Sequence, residues 1–135
     1  MYSLPDNELT ILFVDDEEVI LKAACAILKQ FSMKVLPFTS PATVLKYLNF
    51  NSLTKINCAV IDSCLPEMSG QELYRNISQK FPNLPVIFTS GFDIELSQNI
   101  QKNEKALFLL KPFRFEKLIC SIEQLIKGTH AEKNS

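Results

Sequence analysis

The sequence predicts an α/β domain built on a parallel sheet with helices on both faces, and three observations carry that prediction. Short β-prone apolar runs alternate with stretches of helical periodicity five times along the chain. The runs are apolar at successive positions, as expected of strands covered on both sides. Polar side chains gather where the runs end, which in a parallel sheet is one common edge.

Length and composition limit what such a domain can be. A chain of 135 residues is expected to form one domain whose core buries roughly two thirds of its unfolded surface. Its hydrophobic content is 47%, with no apolar run approaching ~18 residues, so no membrane span is expected. No basic segment followed by an apolar stretch opens the chain; a secretory signal is not expected, and a cytoplasmic location follows by default. A net charge of -1, from 14 basic and 15 acidic residues, gives no general attraction to nucleic acid or anionic lipid. Cys25, Cys58, Cys64 and Cys120 show no C-x-x-C spacing, and the one histidine, His130, lies in a polar tail. Zinc and histidine-based triads are therefore unsupported, and Cys25, Cys58 and Cys120 read as reduced core residues.

Residues 1–8 form a polar lead-in. Thr10 to Val14 is the first strand, closed by Asp15-Asp16. From Glu17 to about Phe31, Val19, Ile20, Ala23, Ala24, Ile27, Leu28 and Phe31 recur at helical spacing, with Glu17 and Glu18 at the favourable N-terminal end. Lys34 to Phe38 is a second strand, and Pro37 argues for an edge position because proline cannot donate to a ladder. Ser40-Pro41 is a cap and first-turn pair opening a helix to about Leu48.

Cys58 to Asp62 is a buried strand that delivers one carboxylate to the sheet edge, followed by turn residues through Gly70. A helix is expected over about 71–80, with Leu73, Tyr74, Ile77 and Phe81 inward. Val86 to Thr89 is the fourth strand, ending at Ser90-Gly91, and a short polar helix is placed over about 94–101. Ala106 to Leu110 is the fifth, ending at Lys111-Pro112-Phe113. The last helix runs over about 114–127, with Leu118, Ile119, Ile122, Leu125 and Ile126 on its apolar face. Gly128 terminates it, and 129–135 is a polar, disordered tail.

This alternation brings Asp15, Asp16, Asp62, Ser90 and Lys111 to one edge. Two carboxylates about 5 Å apart repel by roughly 3 kcal/mol at an effective dielectric of 20, so three in one pocket call for a cation. A hard oxygen site with room for water and phosphate oxygens suits Mg2+. With one carboxylate as nucleophile, the lysine and the metal neutralise an incoming phosphoryl group, and the hydroxyl can hydrogen-bond it.

At these residues the sequence closely resembles the receiver domain of two-component response regulators, over about 9–127. The resemblance rests on Asp15-Asp16, on Asp62 followed by Leu65-Pro66-x-Met68-x-Gly70, on Pro85 to Gly91, and on Lys111-Pro112-Phe113. It implies a flavodoxin-like five-stranded sheet of order 2-1-3-4-5 with five helices. It implies that Asp62 is the phosphoacceptor and that Asp16 binds Mg2+ directly. Asp15 would act chiefly through water, and the Cys64 backbone carbonyl would be a further ligand. Ser90 would be the switch hydroxyl, Lys111 the ion-pair partner of the phosphoryl oxygens, and Phe108 the aromatic switch residue. The Lys111-Pro112 bond would be cis, a state tolerable because proline follows.

The implied partners are a histidine kinase or phosphotransfer protein upstream, and an output domain or separate protein downstream. A homodimer through the last two strand and helix units is an expectation by analogy. The span 9–128 would be the receiver, either standing alone or cut from a larger regulator or hybrid kinase. Taken singly, Asp15-Asp16 could be a helix start, Lys111 a surface lysine, Ser90-Gly91 a turn and Phe108 a core aromatic. An aspartyl-phosphate enzyme would need a second acid two positions after Asp62, where Cys64 stands. A nucleotide module would need a glycine loop that Gly70, Gly91 and Gly128 do not form. A receiver-like binding module without phosphorylation is the remaining alternative. The Lys102 to Ala106 segment and Phe113-Arg114 depart from common family patterns, and the missing cap at Arg114 is expected to shorten the last helix. Phe92 lies where it could alter the dephosphorylation rate.

Overall fold

Strands β1 (Leu9–Val14), β2 (Met33–Phe38), β3 (Cys58–Asp62), β4 (Val86–Ser90) and β5 (Ala106–Leu110) form one sheet. All neighbours are parallel, in the order β2-β1-β3-β4-β5, as expected. The computed structural model describes residues 8–51, 53–91 and 105–134. Four helices lie among them: α1 (Glu18–Lys29), α2 (Pro41–Phe50), α3 (Gly70–Ser78) and α4 (Phe115–Asn134). The helix expected over 94–101 and the Phe92 position lie outside the described residues.

Strand alternation sorts side chains onto two faces. Phe13, Val60, Ile87 and Leu109 pack with Leu21, Ala24 and Leu28 of α1 and with Leu118 and Ile122 of α4. Val14, Ile61 and Phe88 pack instead with Val44 and Leu48 of α2 and Leu73 and Ile77 of α3. Strands covered on both faces must be apolar at successive positions, which is why β3 and β4 are buried throughout. Pro37 sits on β2, which pairs only with β1, so its missing N–H costs no ladder bond.

Local chemistry sets the helix starts. The Ser40 side chain accepts the Thr43 N–H at 3.3 Å, and Pro41 occupies the first turn of α2. At α3, Ser69 accepts the Glu72 N–H at 3.1 Å while Glu72 accepts the Ser69 N–H at 3.2 Å, a reciprocal capping box. That pair starts the helix at Gly70, one residue before the expected position.

Three expectations are corrected. Val19 is 80% exposed and Phe31 49%, because the stripe of α1 facing the sheet is Leu21, Ala24 and Leu28 and the helix ends at Lys29, ahead of Phe31. Of the cysteines only Cys58 is fully buried; Cys25 is half-buried, and Cys120 is exposed because α4 turns Leu118, Ile119 and Ile122 inward. Gly128 does not end α4, and the missing cap does not shorten it: the helix continues to Asn134 through Ala131, Glu132 and Lys133, good helix formers that offset a glycine cost of about 1 kcal/mol. No helix among the described residues is long and apolar enough to cross a membrane.

Candidate functional site: an acidic pocket bridged by Lys111

Asp15 follows β1, Asp62 ends β3, Ser90 ends β4 and Lys111 follows β5, so the shared edge of the sheet collects them. The Lys111 Nζ donates to Asp15 Oδ2 at 2.8 Å and to Asp62 Oδ2 at 3.0 Å, and lies 3.5 Å from Glu17 Oε1. The second oxygen of each buried acid is held by the backbone: Glu17 N–H donates to Asp15 Oδ1 at 2.8 Å, and Cys64 N–H to Asp62 Oδ1 at 3.0 Å. Both carboxylates are therefore oriented, not merely near each other.

Asp16 is exposed, and one oxygen from each of Asp15, Asp16 and Asp62 lies within 4.8 Å of the others. One ammonium against three carboxylates leaves two negative charges uncompensated. An all-oxygen, partly open donor set with that charge fits a hard dication such as Mg2+. Burial raises the Asp15 pKa, against the lowering effect of its hydrogen bonds from Lys111 and the Glu17 N–H. Burial alone would lower the Lys111 pKa; the hydrogen bonds to Asp15 and Asp62, with their charges, reverse this and hold it above the usual lysine value. The lysine is thus charged at neutral pH.

The loop after Asp62 is tied back to the sheet. Ser63 N–H donates to the Thr89 carbonyl at 2.8 Å and Gly70 N–H to the Ser63 carbonyl at 3.0 Å. Glu67 adopts φ 77 where the Met68 N–H reaches back to the Pro66 carbonyl, a tight turn within the stretch the sequence marked as turn residues. Gly70 passes so close to the strand that a Cβ there would overlap the Asp62 carbonyl oxygen.

Ser90 is 1% exposed and by alternation shares the α2/α3 face with Phe88, opposite the lysine. Phe108 is half-buried on that same face, in register with Phe88. The Cys64 side chain is exposed and stands outside the carboxylate cluster. The Lys111-Pro112 bond is cis, as the resemblance implied. Sequence reasoning read Glu17 only as a helix-start acid and Thr89 only as a strand residue. The position of Glu17 beside the Asp pair was the available signal for the first.

Comparison with known proteins agrees with this geometry. The family model of the response regulator receiver domain matches residues 11–123. Over 131 residues the chain is 30% identical to the response regulator protein TmoT of Ectopseudomonas mendocina, covering 96% of this chain and 58% of that protein. It is 31% identical to the two-component response regulator ARR17 of Arabidopsis thaliana, covering 87% of this chain and 86% of that protein. A receiver domain protein from Clostridium thermocellum superposes with a TM-score of 0.79 at 26% identity, covering 91% and 98% of the two chains. The chain spans little more than half the length of TmoT. With the sheet order, the acidic edge and the family match in agreement, this chain belongs to the receiver-domain family of two-component response regulators.

Proposed function

We propose that the domain accepts a phosphoryl group on Asp62 and changes conformation in response. The observation that carries this reading is the Asp62 carboxylate itself: buried, with one oxygen on the Cys64 N–H and the other on Lys111, beside two further acids. Phosphorylation on aspartate with Mg2+ is a general feature of the family to which the chain belongs.

In the proposed step an Asp62 oxygen forms a bond to phosphorus while the bond from phosphorus to a donor histidine nitrogen breaks. The electron pair stays on that nitrogen. Asp15, Asp16 and Asp62, with the Cys64 carbonyl, would hold Mg2+, which when bound supplies positive charge to the phosphoryl oxygens. Lys111 already touches Asp62 and carries the charge needed to neutralise the transferred group. The Ser90 hydroxyl donates to a phosphoryl oxygen, and Phe108, on the same face of the sheet, repacks into the space Ser90 leaves.

Conversion from a nearly off to a nearly on population needs about 5.5 kcal/mol of preference. Two charge-assisted hydrogen bonds at the upper end of roughly 1.5–3 kcal/mol each, or about four at the lower end, supply it. A histidine kinase or phosphotransfer protein supplies the group, in the cytoplasm, and an output domain or separate protein reads the changed face. Labelling by a small phosphodonor in Mg2+, followed by intact-mass measurement, tests this. Wild type should gain one phosphoryl group, Asp62→Asn none, and a labelled Asn variant would move the acceptor elsewhere.

A further inference from the structure

Lys111 reaches its carboxylates across a strand to which it does not belong. In the order β1-β3-β4-β5 it leaves the end of β5, crosses β4, and bonds Asp62 on β3 and Asp15 beyond β1. Asp62 stands in register with Thr89, and Thr89 with Leu109. The α1/α4 face carries Val60, Ile87 and Leu109, so strand alternation puts Asp62, Thr89 and Lys111 on that face as well. The β4 side chain under the lysine's span is therefore Thr89.

Thr89 is 1% exposed, and its hydroxyl has no hydrogen-bond partner among the described residues. Burying a hydroxyl without a partner is unfavourable, and valine would fill the same space without that cost. A buried polar group left over beside a reactive centre calls for an explanation, and a second state in which it is bonded supplies one.

The lysine shows what that state is. An ammonium has three N–H donors; two go to Asp15 and Asp62 at 2.8 and 3.0 Å, and the third reaches only Glu17 at 3.5 Å. Phosphorylation of Asp62 replaces one charged acceptor with phosphoryl oxygens that take an ammonium hydrogen, Asp15 keeps a second, and the third is left for a neutral acceptor close to the lysine.

We propose that Thr89 is a positioning residue for Lys111, its hydroxyl oxygen taking an ammonium hydrogen as the phosphoryl group forms on Asp62. This rests on Asp62 being the acceptor. Thr89 acts from a strand paired on both sides, so it fixes the ammonium from below while Asp15 fixes it from the side.

The test compares wild type, Thr89→Val and Thr89→Ser in full-length chain. It measures the thermal midpoint without phosphodonor, and the labelling rate by phosphoramidate in Mg2+. Thr89→Val should raise the midpoint by about 3 °C, because a buried hydroxyl without a partner among the described residues is gone. The same variant should label about tenfold more slowly, because a charged hydrogen bond is lost. Thr89→Ser should label within about twofold of wild type. Equal labelling by wild type and Thr89→Val overturns the proposal, as does a fall in both midpoint and labelling that Thr89→Ser fails to rescue. A wild type that does not label at all removes the acceptor reading and this inference with it, a result distinct from either.

Discussion

Gly70→Ala sets two known effects against each other. Gly70 is the first residue of α3, and alanine there would normally gain roughly 0.5–1 kcal/mol from helix preference and from a less flexible unfolded chain. In this fold the new Cβ would overlap the Asp62 carbonyl oxygen and lie 3.0 Å from both the Asp62 carbonyl carbon and Ile61 Cγ2. Two of those three atoms are backbone of β3, which is fixed between β1 and β4. Relief must come from displacing the start of α3, which carries the Ser69/Glu72 capping box and the Gly70 N–H bond to the Ser63 carbonyl. Overpacking of this kind costs about 1–3 kcal/mol, and a weakened hydrogen bond about 1 more. The net is a loss of about 2 kcal/mol, equivalent to a fall of about 6 °C in the thermal midpoint of a domain this size. Circular dichroism melting measures it, and phosphodonor labelling should slow in parallel because the displaced loop holds Asp62 through Cys64. A raised midpoint with unchanged labelling would show that the loop yields freely and that the close approach does not position the acid.

Three further outcomes follow from the same contacts. Lys111→Met leaves Asp15 and Asp62 buried without their cation, so the midpoint should fall by about 9 °C in metal-free buffer. Mg2+ should restore more of that stability than it adds to wild type, and an equal Mg2+ response in both proteins would count against an acidic cation site. Ser69→Ala removes one half of the capping box and should lower stability by about 1 kcal/mol, read as the shift in denaturant midpoint; no shift would mean the α3 start is held by packing alone. Burial pushes the Cys58 thiol up to about 12, so at pH 8 it should stay unmodified by iodoacetamide while exposed Cys64 and Cys120 react, as peptide mass mapping would show. Early loss of Cys58 would mean that β3 opens readily.

Apolar periodicity and punctuation determined much of this protein from sequence alone. The run Cys58 to Asp62 matches β3 residue for residue, and Pro37 located the edge strand, because a strand buried on two faces and a residue without an N–H leave marks that need no partner to be read. The strand-end positions of Asp15, Asp62 and Lys111 were likewise legible, since parallel connections bring all such ends to one edge. Helix faces were less so: periodicity admitted Val19 and Phe31 to the buried side of α1 because spacing alone does not say which turn meets the sheet. Only the tertiary structure decided that Lys111 bridges Asp15 and Asp62, that Gly70 lies against the Asp62 carbonyl, and that the Thr89 hydroxyl is buried without a partner among the described residues. Each of these depends on the register between strands distant in sequence, which side-chain type does not encode and packing fixes.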